Sequence, residues 1–506
     1  MSQQEQNENE QRINEITEEI IEMTKDVVDF CKKNYATGNP SDEEKKIIEE
    51  IIESEINEYD DDKLSDLTDS ILENIKKRFE ILNESETKKE KFGWPIHWKL
   101  ETDDRHEFLN KIKFFSGNSS QMFGKLLTPL VSGMRVQGPF KPDYIDNIPK
   151  LVIFDGEGLG HIPDTASSVS SSVIEKFEFS DAIILVDNAQ NPMQAAPYAV
   201  IKAVAISGNY KKLALCFTHF EAVKGDNIPE VEDRMEHVFS SVDNILDNLE
   251  NNLEYEVKKF LINHFIDSSY YLSDLDQFYS EETRFDSNKE GIKRLINVME
   301  LSSTHIQLND EISLTYEIYP LLYKIQNAAK KFHHIWDGYL FGTSEIQKAH
   351  FAKIKALSRR LGHGWENEYK ELKPIANFWD SFNSQISSYL NSPVKIKPSN
   401  PYEVDIQNKI DVLKQMVSNE IYKYAIERIK NDMIANWQES YDNYFGKGSA
   451  ARRADRIKTI YDDTVPIPEN EISESTNTFV KDIINIIKEK LELNNCKLSS
   501  IFEIVN

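Results

Sequence analysis

Short apolar runs, each followed by polar residues, most strongly constrain the fold of this 506-residue chain. The candidate strands are Met134–Val136, Leu151–Phe154, Ala182–Val186, Leu213–Phe217 and Tyr270–Leu272, and those at 151, 182 and 213 are apolar throughout. Runs that are apolar at every position are typical of parallel strands covered on both faces. Helical patterns lie between them, around 190–207 and 230–260. The alternation predicts an α/β fold with a doubly wound, mostly parallel sheet, which binds ligands at the carboxyl ends of its strands.

The regions on either side of this alternation have helical patterns. Residues 1–90 contain 27 Asp and Glu against 12 Lys and Arg, and their apolar residues recur every three or four positions. We therefore expect an acidic helical bundle or an insertion there. Residues 91–300 would form the α/β domain. Residues 301–506 would form a helical region, with a linker near 390–401 where Pro, Ser and Asn cluster.

Charge and cysteine usage narrow the function classes. The net charge of −27 argues against a nucleic-acid partner and against anionic membranes, because phosphates would be repelled. The apolar runs are too short for a transmembrane segment. The N-terminal residues are polar and acidic, unlike a signal peptide. Three widely spaced cysteines suit a reducing compartment, so we expect a cytoplasmic protein.

The end of the run at 151–154 has the chemistry of a phosphate and magnesium site. Asp155 can hold a magnesium-bound water, and the backbone N–H of Gly158 can approach a terminal phosphate without a side chain intervening. His161, just beyond these glycines, could orient an attacking water. The alternatives are a tight glycine turn with Asp155 capping the next helix, and a solvent-exposed loop histidine.

The run at 213–217 also ends in polar residues. Thr218 and His219 are followed by Glu221, and Asp226 lies a few residues further on. Either carboxylate could accept hydrogen bonds from a nucleotide base. The alternative is a polar loop that contacts no base.

These segments resemble motifs of P-loop GTPases. Asp155–Gly160 resembles the Asp-Thr-Glu-Gly-Leu-Gly switch of guanylate-binding-protein-type members of the dynamin superfamily. Thr218-His219 resembles the base-recognition loop of septin-like and chloroplast-import GTPases, in which the carboxylate reads guanine. Phe108–Ile112 resembles the helix that follows the phosphate loop, and Ser132–Val136 resembles switch I. The resemblance covers about 105–300.

The resemblance implies a metal site as well as a nucleotide site. The resemblance implies that the hydroxyl of Ser132, or alternatively that of Thr128, binds Mg²⁺ together with Asp155. GTP would be the nucleotide, bound through Asp155, Gly158, Thr218, His219 and Glu221 or Asp226.

The phosphate loop itself has no counterpart in the chain. The acidic, glycine-free segment 100–106 occupies its place, and the nearest imitation, 116–128, has the wrong glycine spacing. The sequence therefore predicts a GTPase-like nucleotide-binding protein, weak or incomplete as a lone chain. A homodimer or a partner chain would supply the missing loop. The alternatives are an inactive pseudo-GTPase scaffold for protein partners and an ATPase of related fold.

Overall fold

A computed structural model gives the fold of the chain. It describes residues 3–35, 45, 48–52, 55, 61–82, 86–117, 119, 122, 124–139, 141–156, 168–249, 255–275, 277, 286–301, 311–399, 401–468 and 474–499. The chain divides into two compact units, one formed by Met1–Pro139 with Phe445–Ala450 and the other by Phe140–Tyr444 with Ala451–Asn506.

The first unit combines long helices with a hairpin. Its elements are Gln3–Tyr35 (α1), Asp61–Lys77 (α2), Thr87–Lys89 (β1), Pro95–Trp98 (β2) and Arg105–Ser116 (α3). β1 and β2 are antiparallel, and the indole of Trp98 stacks on Phe115 of α3 with ring centroids 5.1 Å apart. Asp104 begins α3 by accepting a hydrogen bond from the backbone N–H of His106.

The second unit contains a small parallel sheet. Its strands are Ile183–Asn188 (β3), Leu213–Thr218 (β4) and Ser269–Tyr271 (β5), in the order β3-β4-β5. Ile183 is opposite Leu213, and Leu215 is opposite Ser269. β4 is buried from Leu213 to Phe217 because it has a strand on each side. The predicted strands at 182–186, 213–217 and 270–272 are thus confirmed to within two residues.

Helices make up most of the second unit. They are Ser171–Phe179 (α4), Ala195–Ile206 (α5), Val231–Leu249 (α6), Tyr255–Asp267 (α7), Asp286–Leu301 (α8), Ile318–Phe341 (α9), Phe351–Gly362 (α10), Pro374–Leu390 (α11), Glu403–Ala425 (α12), Ile434–Asp442 (α13), Ser449–Thr464 (α14) and Glu474–Leu493 (α15). A second small sheet pairs Ser313–Glu317 (β6) with Lys395–Lys397 (β7) and Lys497–Ser499 (β8). β7 lies inside the segment predicted as a linker.

The helices of the second unit pack around an aromatic core. Phe332 of α9 contacts Phe378 of α11 and Tyr461 of α14 edge to face, and Phe378 stacks on Phe382 with centroids 4.2 Å apart. These side chains are fully buried. Aromatic pairs of this kind add about 0.5–1.5 kcal/mol each beyond area burial. One hydrophobic core therefore joins these helices to the small parallel sheet, whose residues Leu185, Leu215 and Phe217 belong to the same cluster.

The predicted doubly wound, mostly parallel sheet is wrong for this chain. Of the residues that the structure describes, 64% are helical and 8% lie in strands, and these strands form separate sheets of two or three strands. The run at 151–154 has no ladder partner among the described residues. Its side chains are largely exposed, with Val152 at 74%, Ile153 at 75% and Phe154 at 65%. Met134 and Val136 are likewise exposed and outside any strand. An apolar run becomes a strand only where a neighbour satisfies its backbone groups.

Candidate functional site

Polar side chains gather where the three parallel strands end, which we call the carboxyl edge. At the end of β3, the Asp187 carboxylate accepts hydrogen bonds from the backbone N–H groups of Asn188, at 2.9 Å, and Met193, at 2.6 Å. The Asn188 side chain accepts another from Gln190. Both side chains fix the loop before α5, in which Met193 has a φ of +59°.

The end of β4 turns sharply away from the sheet. The Thr218 hydroxyl donates to the Asp187 carbonyl at 3.2 Å, which ties β4 to β3. His219 follows with a φ of +57°, a left-handed conformation that costs a non-glycine residue about 1 kcal/mol or more. The backbone N–H of Phe220 then donates to the Leu272 carbonyl beyond β5. The loop after β4 therefore lies against the loop after β5.

Glu221 joins these two loops through its carboxylate. Oε2 accepts a hydrogen bond from the backbone N–H of Asp274 at 3.1 Å, and Oε1 lies 3.5 Å from His219 Nδ1. The Glu221 side chain is 36% exposed and that of His219 is 64% exposed. A carboxylate has about four acceptor positions, so Glu221 can still accept hydrogen bonds from a ligand.

Aromatic side chains pack together at the ends of β4 and β5. Tyr271 stacks on Phe217, with centroids 5.4 Å apart, and also contacts Phe220. Burial raises the pKa of Tyr271 to about 12, which keeps its hydroxyl neutral. The guanidinium of Arg234, on α6, lies over Phe220 at 5.5 Å. The carboxyl edge thus combines a half-exposed carboxylate with one partly exposed aromatic ring, that of Tyr271, and a cation.

Only part of the predicted nucleotide site comes together here. Thr218, His219 and Glu221 share the carboxyl edge, whereas Asp226 lies on an exposed turn further along the loop. Asp155 is exposed and makes no hydrogen bond or ion pair within the described part of the chain. A Cβ placed on the neighbouring Gly156 would lie 3.1 Å from the ammonium of Lys176.

The magnesium ligands Ser132, Thr128 and Asp155 stay a prediction. Thr128 and Ser132 belong to the first unit and Asp155 to the second. The Thr128 hydroxyl donates to the Gly117 carbonyl at 2.9 Å, and Ser132 is exposed. Within the ranges described above, no three His, Cys, Asp or Glu side chains are grouped to hold a metal ion. Gly158 and His161 lie outside the described residues.

Three polar residues of the carboxyl edge escaped the sequence analysis. Asp187 and Asn188 extend an apolar run that was predicted to be a strand, and Asp274 follows β5. The rule that polar residues at strand ends form sites would have identified Asp187 and Asn188. Asp274 contributes its backbone N–H, and no side-chain pattern predicts that contact.

Comparisons with known proteins add no relative. Neither a protein-family model, nor a curated protein, nor a solved structure matches this chain. Among the helices that the structure describes, none has both the length and the apolar character required to cross a bilayer.

Proposed function

We propose that this chain binds a guanine nucleotide at the carboxyl edge of the β3-β4-β5 sheet. The observation that carries the proposal is Glu221, a half-exposed carboxylate held between the loops that follow β4 and β5. Guanine presents two neighbouring donors, its ring N–H and its exocyclic amino group, and a carboxylate can accept from both. The partly exposed ring of Tyr271 supplies apolar surface for a flat base.

Hydrolysis would be slow in this proposal. Triphosphates are usually held by a glycine-rich loop at a helix N-terminus, and the sequence contains no such loop. The described residues also provide no cluster for Mg²⁺, so the ion would enter already bound to the triphosphate. A second copy or a partner chain could supply the missing phosphate contacts. The base-binding step is therefore the activity to measure first.

The test is equilibrium titration of the full chain with fluorescent analogues of GTP, ITP and ATP, each with and without Mg²⁺. ITP lacks the exocyclic amino group, so it should bind several-fold more weakly than GTP if a carboxylate accepts from that group. Glu221→Gln should weaken GTP binding by about tenfold or more, because an amide replaces a charged acceptor.

Glu232→Gln is the matched control, since Glu232 is an exposed carboxylate in the first turn of α6. It should leave the affinity for GTP unchanged. Equal affinity for GTP and ITP would contradict a base-reading role for Glu221. An equal loss of GTP affinity in Glu221→Gln and Glu232→Gln would contradict it as well. Tighter binding of ATP than GTP would favour the ATPase alternative.

A pseudo-GTPase scaffold is the second candidate function, and the exposed run at 152–154 favours it. Three consecutive apolar side chains that are 65–75% exposed are typical of a protein contact. We propose a second copy of this chain as the partner. Sedimentation velocity over a concentration series should show a dimer that Ile153→Ser weakens and Asp155→Ala leaves intact. A monomer at all concentrations would reject this candidate.

We also propose a cytoplasmic location. Cys31, Cys216 and Cys496 are free thiols and all are buried. Burial raises the pKa of the Cys216 thiol to about 11, so this thiol stays protonated and unreactive. Fractionation of cells that express the tagged chain would test the location.

A further inference from the structure

Helix α10 has a charge pattern opposite to that of the whole chain. It carries Lys353, Lys355, Arg359 and Arg360 and no carboxylate, in a protein whose net charge is −27. Lys353 pairs with Glu371 at 2.5 Å, and Arg360 pairs with Glu366 at 2.6 Å. Arg359 pairs with no carboxylate in the described chain. A cation on the surface of an acidic protein would ordinarily find a local partner, so this residue stands out.

The unpaired arginine belongs to a stripe along one face of α10. Lys355, Arg359 and His363 follow each other at four-residue steps, which places them on the same side of the helix. Helix α13 packs closely beside this stripe. A Cβ on Gly362 would lie 2.8 Å from the backbone nitrogen of Gln438, so only glycine permits this approach.

Close packing of α10 and α13 brings Tyr441 to the stripe. The ammonium of Lys355 lies 5.7 Å from the centroid of the Tyr441 ring, and the guanidinium of Arg359 lies 5.8 Å from it. His363 contacts the same ring edge to face. Contact with the Tyr441 ring restricts the conformational freedom of the Lys355 and Arg359 side chains before any ligand binds.

Trp365 completes the surface. Its indole is 64% exposed and stacks on the His363 ring at 4.7 Å with an interplanar angle of 17°. The Arg359 guanidinium lies 5.4 Å from the centroid of Trp365. Arg359 therefore contacts two aromatic rings, while its N–H groups donate no hydrogen bond within the described chain. Stacked guanidinium groups of this kind bind carboxylates in bidentate fashion.

We propose that Lys355, Arg359, His363, Trp365 and Tyr441 form a docking surface for an acidic segment of a partner protein. Charge complementarity selects the partner, because the stripe is cationic and its guanidinium donors are unused. Trp, Tyr and Arg are also the residues that contribute most binding energy at protein interfaces. The net charge of −27 opposes every anionic ligand, and it opposes a nucleic acid more than a short acidic segment because a nucleic acid carries a phosphate charge at every nucleotide along its length.

The test uses fluorescence polarisation of a labelled oligo-glutamate peptide titrated with the full chain at low salt. Arg359→Gln should weaken binding by about tenfold, and Trp365→Ala should weaken it by a similar factor. Lys481→Gln removes one exposed cation from α15 and serves as the matched control, which should bind as the wild type does. An oligo-glutamine peptide should not bind.

Hydrogen exchange of the wild-type protein provides a second measurement that does not depend on the folding of a variant. The oligo-glutamate peptide should slow exchange across 355–366 and leave α15 unchanged. Equal weakening by Lys481→Gln, or tighter binding of oligo-dT than of oligo-glutamate, would overturn the proposal. Absence of both binding and protection would overturn it as well.

Discussion

Two carboxylates in the second unit, Asp380 and Glu221, have opposite surroundings. Asp380 on α11 is 7% exposed, and its two oxygens lie 2.6 Å from Lys202 and 3.0 Å from Lys331. Glu221 is 36% exposed and accepts one hydrogen bond from a backbone N–H, with an exposed histidine beside it. The oxygens of Asp380 are both occupied by lysines of the protein, whereas Glu221 at the carboxyl edge keeps acceptor positions free for a ligand.

This difference separates stability from binding. Removal of one partner from a buried group of ions destabilises the folded state, because the remaining ion is left without a partner in a poorly solvated place. A half-exposed carboxylate contributes little to stability, because water solvates it in both states. The two sites should therefore respond to the same chemical change in different assays.

Of the two carboxylate substitutions, Asp380→Asn is expected to have the larger effect. The substitution leaves the mostly buried Lys202 ammonium without its carboxylate, at a cost of about 3 kcal/mol in the free energy of unfolding. Urea denaturation followed by circular dichroism at pH 7 measures this loss. GTP binding by the folded variant should match the wild type. A loss of less than about 1 kcal/mol would show that the pair behaves as a surface salt bridge.

The contribution of Asp380 should also depend on pH. Burial alone would raise the pKa of its carboxyl group, but attraction by Lys202 and Lys331 outweighs burial and holds the pKa well below its usual range. The pKa is therefore lower in the folded than in the unfolded state, whose value is about 3.9. The Asp380 carboxylate contributes its whole stabilisation at pH 7. This stabilisation begins to decrease below about pH 5 and is lost progressively as the pH falls towards the folded-state pKa.

Comparing urea denaturation of the wild type and Asp380→Asn at pH 7 and at about pH 3, below the unfolded-state pKa, tests this dependence. The difference between the two proteins should narrow at the lower pH, because the wild type loses stability that the variant no longer has. A gap that stays constant would mean that the asparagine acts by disturbing packing.

Glu221→Gln should weaken GTP binding and leave the free energy of unfolding almost unchanged, which is the reverse of Asp380→Asn. The change in free energy is also expected to be smaller. The variant should lose about tenfold in GTP affinity, equal to about 1.4 kcal/mol, while its unfolding free energy changes by less than about 1 kcal/mol. The amide oxygen of glutamine can still accept from the Asp274 N–H, so the contact between the two loops survives. A large loss of stability would place Glu221 with Asp380, as a structural carboxylate.

Local sequence patterns predict the elements of this fold better than their assembly. The apolar runs at 183–188 and 213–218 form strands because each has a neighbour in register. The run at 151–154 has similar composition but no such neighbour among the described residues, and periodicity cannot supply that information. Thr218, His219 and Glu221 lie within four consecutive positions, so the sequence itself places them close together. The grouping of Lys202, Lys331 and Asp380 depends on how α5, α9 and α11 pack, which no local pattern contains.

The smallest effect is expected from Ile153→Ser, which extends the comparison to apolar side chains. Ile153 is 75% exposed, so its removal should change the unfolding free energy by less than about 0.5 kcal/mol. Phe217→Ala is the matched substitution in the central strand, where the ring is fully buried, and should cost about 3–5 kcal/mol. Urea denaturation of both variants measures the contrast. If Ile153→Ser cost as much as Phe217→Ala, the run at 151–154 would be buried in solution, against a partner or within the chain.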